Sequence, residues 1–191
     1  MTPPPAGRAH PSRARRWREI ARDRLLDCRI FEVERSIAVS PEDGSEHPFV
    51  RLRCADWAQI IPVTAADEIV MVKQYRHGSG SVVLEIPGGL VDPGEDPAAA
   101  AARECLEETG YRAGSVHSMG SMNPNPALFS NRLHSFYAHG VERIADVQNS
   151  GTELTEVVLV PTRELRGLLR DNRIDHTLVA ATLWRYLGEF L

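Results

Sequence analysis

The sequence predicts an α/β protein: a mixed central sheet covered by helices on both faces, preceded by antiparallel N-terminal strands. Three observations carry this. Short segments with strand-like alternation recur between residues 28 and 161, one helix with both ends marked interrupts them, and two helical segments close the chain. At 191 residues, 42% hydrophobic and 25% charged, the chain is long enough to bury a sizeable core as one domain with a small extra portion.

The elements follow in order. Residues 1–16, MTPPPAGRAHPSRARR, are rich in Pro and Arg and read as a disordered, solvated arm. The arm lacks an apolar stretch, so it is not a secretory signal. Residues 17–26 are ambiguous, because Trp17, Ile20, Ala21 and Leu25 fit a short helical stripe. CRIFEVERSIAV (28–39) alternates like a strand, PEDGSE turns, and PFVRLRCADWAQIIPVT (48–64) returns as strand. IVMVKQYR (69–76) reads as a central strand, and VVLEIPGG (82–89) as a strand running into a glycine loop. Residues 97–109 form the best-marked helix: Asp96 caps it, Pro97 opens it, alanines fill its first turns and Gly110 ends it. Residues 115–122, 132–141 and 156–161 read as strands, and 162–172 and 176–190 as helices.

Composition excludes several classes. The net charge of −4 does not point to nucleic acid. Cys28, Cys54 and Cys105 are too few and too far apart for a disulfide framework or a zinc site. No apolar run approaches the roughly 18–20 residues that span a bilayer. A cytoplasmic protein without membrane contact is expected.

Glu104, Glu107 and Glu108 crowd one stretch of the marked helix. Positions i, i+3 and i+4 share a helix face, so the three carboxylates converge there, with Ala98, Ala101, Ala102 and Cys105 on the opposite, packing side. Clustered carboxylates repel unless a cation joins them, and a hard divalent ion such as Mg²⁺ or Mn²⁺ takes oxygen ligands. Ahead of the helix lies IPGGLVDPGE, a glycine-rich loop able to present backbone groups to a ligand.

The spacing Gly89, five residues, Glu95, seven residues, Arg103-Glu104-Cys105-Leu106-Glu107-Glu108-Thr109-Gly110-Tyr111 resembles the Nudix box. Every fixed position matches, with Cys105 in place of the usual aliphatic residue. The resemblance implies a Nudix α/β/α sandwich that hydrolyses nucleoside diphosphates linked to another group. It implies metal ligands at Glu104, Glu107, Glu108 and the Gly88 carbonyl, with Arg103 and Glu95 holding the loop against the helix, and a water attacking one phosphorus.

VKQYRHGSGSVVLEIPGGLVDPGE further resembles the ADP-ribose and nucleoside-diphosphate-sugar pyrophosphatases. That implies substrate contacts at Arg76 and Glu85 in this stretch, and at Pro126, which lies sixteen residues beyond Gly110. Asn125-Pro126-Ala127 departs from the Ser-Pro-Gly common in that subgroup. A late-loop glutamate would act as or assist the base, with Glu153 the first candidate and Glu156 the second. Residues 17–62 resemble the subgroup's dimerisation portion, leaving 63–191 as the hydrolase domain of a homodimer. Trp57 would stack a nucleobase. The expected reaction is metal-dependent cleavage of ADP-ribose or a related nucleoside diphosphate sugar to a nucleoside monophosphate and a sugar phosphate. GDP-mannose, another nucleoside diphosphate derivative, or a non-catalytic nucleotide sensor are the alternatives.

Overall fold

The computed structural model describes residues 15–149 and 154–190. By its contacts the chain divides into two compact units, one running through Cys54 and taking in Ala127–Phe129, the other comprising Ala55–Pro126 and Ser130–Leu191.

The first unit is a three-stranded antiparallel sheet in the order β1 (Arg18–Asp27), β2 (Glu32–Val39), β3 (Glu46–Arg53). The ambiguous segment is therefore a strand, and the helical stripe is a misreading with a physical cause. Two irregularities interrupt the β1–β2 register, between Glu19 and Ala21 and between Arg24 and Leu26. Each extra residue shifts the alternation by one position, so a strand's period of two imitates a helix's longer repeat. The strand expected from residue 28 starts at Glu32, because Cys28 to Phe31 form a turn in which Arg29 takes φ 69°.

The second unit is an eight-stranded mixed sheet. Its strands are β4 (Trp57–Thr64), β5 (Glu68–Arg76), β6 (Ser81–Glu85), β7 (Gly88–Leu90), β8 (Tyr111–Arg112), β9 (His117–Met122), β10 (Leu133–Arg143) and β11 (Thr155–Pro161). The path runs β11-β5-β4-β10-β8, with β6 on β5, β7 on β4 and β9 on β10. β4 and β10 are parallel, which makes the sheet mixed. The stretch expected as one strand over 48–64 is broken at 54–56, and its second half belongs to this sheet, so the division between units falls after Cys54.

Helices cover both faces. α1 (Pro97–Thr109) packs Ala100, Ala101 and Cys105 against Ala58, Ile60, Val70, Phe136 and Ala138. Burial among these residues pushes the Cys105 thiol up to about 12, so it stays protonated as a packing group. α2 (Thr162–Arg170) and α3 (Thr177–Glu189) cover the other face, where Leu165, Leu169, Leu183 and Tyr186 meet Ile61, Val63, Ile69 and Met71. Alternation along β4 and β5 sorts odd and even residues to opposite layers. No helix among the described residues is long and apolar enough to cross a membrane.

Candidate active site

The site grows from the junction of β7, the loop over 91–96 and α1. Asp96 Oδ1 accepts from the N–H groups of Ala98 and Ala99 at 2.9 and 3.2 Å, Pro97 opens the helix, and Gly110 closes it at φ 75°. These caps satisfy backbone groups the helix ends would leave bare. Glu95 closes the loop on itself by accepting from Asp92 N–H at 3.0 Å.

Arg103 is the hub. Its Nε and Nη2 reach the two Glu95 oxygens at 3.0 and 3.1 Å, and Nη2 also reaches the Leu90 carbonyl at 3.1 Å. Its Nη1 reaches Glu104 Oε1 at 2.8 Å and Glu107 Oε2 at 3.1 Å. The planar fork thus ties loop to helix in fixed geometry. Hydrogen bonds from Arg103, then that from Asp92 N–H, hold the Glu95 carboxyl below its ordinary value, and the Glu95 bonds raise Arg103 further.

The three helix carboxylates do not share one exposed face. Glu104 and Glu107 sit on Arg103, while Glu108 is only 7% exposed and its Oε2 accepts the Gly88 N–H at 3.0 Å. Successive helix residues turn by about 100°, so Glu108 swings from Glu107's side toward the sheet, beside Cys105 and Thr109. It belongs partly to the packing side.

No three His, Cys, Asp or Glu side chains stand as a ready-made metal cage among the described residues. The donors nevertheless suit a hard divalent cation. Carboxylate oxygens of Glu104, Glu107 and Glu108 lie along one short helical stretch, with the backbone of Gly89 against Glu104 and that of Gly88 against Glu108. A Cβ at Gly89 would run into the Glu104 carboxylate, and one at Gly88 into the Ala58 carbonyl and Gln59.

The other expected site residues divide. Arg76 and Glu85 meet as a bidentate pair, Nε to Oε1 at 2.8 Å and Nη2 to Oε2 at 2.6 Å, with Glu85 buried. Trp57 starts β4 between Leu90 and Leu133. Alternation gives it the face of Gln59, whose amide bonds Leu178 and Thr182 of α3, so it lies away from α1. Pro126 sits exposed in the turn between β9 and β10. Glu156 is exposed and pairs with Lys73 Nζ at 3.0 Å. It alternates with Thr155, whose hydroxyl donates to the Glu108 carbonyl at 3.0 Å, so Glu156 points off the α1 face. Glu153 lies outside the described residues.

Thr155 escaped the sequence reading, as did the buried polar Gln74 opposite it on β5. The signal was present: Val70, Val72, Gln74 and Arg76 occupy one face of a strand, and polarity enters it at residue 74.

The NUDIX domain model matches residues 56–182. CMP-5'-(N-acetyl-N-hydroxy-3-aminopropyl)phosphonate hydrolase of Streptomyces rubellomurinus (strain ATCC 31215) is 36% identical over 165 residues, covering 86% of this chain and 77% of that protein. ADP-ribose pyrophosphatase of Bacillus subtilis (strain 168) is 28% identical over 116 residues, covering 60% and 63%. The crystal structure of an ADP compounds hydrolase superposes with a TM-score of 0.82 at 22% identity, over 93% of this chain and 96% of that one, and shows the shared fold. With its complete box folded as strand, loop and capped helix, the chain belongs to the Nudix hydrolase family.

Proposed function

We propose that the chain hydrolyses the pyrophosphate bond of ADP-ribose or a related nucleoside diphosphate sugar, using a divalent cation, Mg²⁺ or Mn²⁺, held by Glu104, Glu107, Glu108 and the Gly88 backbone. The observation that carries the reading is the Arg103 hub, which holds Glu95, Leu90, Glu104 and Glu107 in one constellation beside the buried Glu108. A cation bound there supplies positive charge against the pyrophosphate oxygens.

The chain's own residues do the rest. Arg103 fixes the loop so that the carboxylates keep their places between turnovers. Glu85 orients the Arg76 guanidinium for a phosphate of the substrate. Glu153 serves as the base. The exposed Trp17 and Phe49, whose rings meet edge to face, support a homodimer, which sedimentation would reveal.

The test is monophosphate release with Mg²⁺ from ADP-ribose, GDP-mannose, UDP-glucose, NADH, coenzyme A and 8-oxo-dGTP. Preferred cleavage of ADP-ribose is the expected result. One observation favours a second reading of the base: the Streptomyces relative is named for a CMP-linked phosphonate. A CMP-phosphonate belongs in the same panel, and its preference over ADP-ribose would replace the adenosine assignment while keeping the chemistry.

A further inference from the structure

The last turn of a helix leaves backbone carbonyls that no N–H of the helix can reach. In α1 the Gly110 N–H takes the carbonyl of Leu106 at 2.8 Å. The next two carbonyls belong to Glu107 and Glu108, and donors from a distant part of the chain serve them. Gln148 N–H donates to the Glu107 carbonyl at 2.8 Å, and the Thr155 hydroxyl donates to the Glu108 carbonyl at 3.0 Å. The N–H groups of Ile144 and Ala145 reach the Gly110 carbonyl at 2.9 and 3.2 Å. The approach is so close that a Cβ on Gly110 would collide with the Ala145 carbonyl.

The Thr155 hydroxyl is a side-chain group on a fixed element. Thr155 opens β11, whose ladder with β5 runs to Pro161 without a register shift. Val157, two residues on and on the same face, packs into the core beneath α1. Asn149 Oδ1 lies 2.9 Å from the same hydroxyl, but it already accepts the Thr155 N–H at 3.1 Å. With Asn149 supplied, the single hydroxyl hydrogen goes to the Glu108 carbonyl. Glu108 is thereby held twice: Gly88 N–H holds its carboxylate at 3.0 Å, and Thr155 holds its main chain.

We propose that Thr155 is a positioning residue of the cation site: by holding the Glu108 carbonyl, its hydroxyl keeps the Glu108 carboxylate where a divalent ion needs it. The inference rests on the reading of Glu104, Glu107 and Glu108 as ligands of that ion. Ligand distances at a metal hold to within about 0.2 Å, so slack in the last turn of α1 is felt at the ion. A partner that grips a ligating group directly changes metal affinity by about 10- to 100-fold. Thr155 grips the backbone of the ligand residue, one step further away, and its effect is smaller.

The test is Mn²⁺ binding to the nucleotide-free protein, with the free ion read by electron paramagnetic resonance, alongside steady-state kinetics. Thr155→Val keeps the shape and the β-branch that suits a strand, and removes the donor. Its Kd for Mn²⁺ should rise by about 3- to 10-fold. Its kcat should fall by about 3- to 10-fold, with KM for the nucleotide within about twofold of the parent value. Thr155→Ser returns the hydroxyl on a residue less suited to a strand, and should bind Mn²⁺ within about twofold of the parent protein. Serine above valine runs against strand preference, so a merely structural role cannot produce that order. Equal Mn²⁺ affinity in the parent protein and Thr155→Val overturns the assignment. So does a serine variant as weak as the valine variant. A valine variant without parental circular dichroism would make the hydroxyl structural and end the proposal too. The parent protein separates the two ideas: if it binds no Mn²⁺, the cation reading falls and takes this inference with it, whereas equal binding by parent and Thr155→Val sinks only the role of Thr155.

Discussion

The loop and helix over residues 88–110 and the three-stranded sheet over residues 18–53 are both laced with arginine–carboxylate contacts, and they use them for different ends. In the sheet the pairs cross the ladders. Asp23 faces Arg35 and Glu32 faces Arg53 in the register, and each pair is bonded, Arg35 to Asp23 at 2.9 Å with both side chains about half exposed. Such contacts favour one register over its neighbours and add little stability, since water and salt compete for them. In the loop and helix a single guanidinium, 31% exposed, serves three carboxylates and a carbonyl. There the same chemistry sets atomic positions. The difference lies in what the shared donors join: in the sheet Arg51 and Arg53 share the buried Glu34 and tie strand to strand, while Arg103 ties a loop to a helix and couples every group it touches.

Five experiments would break or sharpen this contrast, from the largest expected effect downward. Glu108→Gln keeps the shape and the Gly88 contact but removes a charge from a buried position, and steady-state assay should show kcat lower by about 10²- to 10³-fold with unchanged circular dichroism. Arg103→Lys substitutes a point charge for a fork and cannot span Glu95 and Glu104 together. It should cost about 10- to 100-fold in kcat through misplaced carboxylates, and near-parental kinetics would show that the hub is no more than a surface pair. Arg76→Ala should chiefly raise KM, and calorimetry should show a loss of about 2 kcal/mol because Glu85 is left buried without its partner.

The fourth is a pH titration. Glu95 is held below a glutamate's ordinary 4.5 by Arg103. Its contribution to stability is therefore complete above that value and is lost as pH falls through the lowered folded value, since the unfolded chain takes up the proton first. Thermal melts should show the parent protein losing more stability than Glu95→Gln as pH drops below about 4.5; parallel losses would remove Glu95 from the account. The smallest effect belongs to the sheet: Arg35→Ala should move Tm by less than about 2 °C and less still at high salt.

Legibility followed the range of the interaction. The helix was readable to its last residue because Asp96, Pro97 and Gly110 act within one turn of its ends. The Glu95 and Arg103 partnership was readable because the box resembles a known family, and the two side chains are found bonded. β8 went unread because two residues carry no periodicity, and it exists as a strand only by pairing with Glu142 and Arg143. β1 was obscured by its two register shifts. Trp57 looked suited to a nucleobase in a linear reading, but strand alternation puts it on the α3 face with Gln59. Glu156 looked available as a base until its place on β11 gave it to Lys73.

The order of strands and helices, the capped helix and the carboxylate pattern that marks the family are properties of neighbouring residues along the chain. They come from local torsional preferences, caps and spacing, which need no distant partner. The burial of Glu108 and the gathering of four acceptors on Arg103 are not of that kind. Each depends on which strand lies beside which and which face a helix covers, and those depend on contacts between residues far apart in the chain, where packing overrides local pattern.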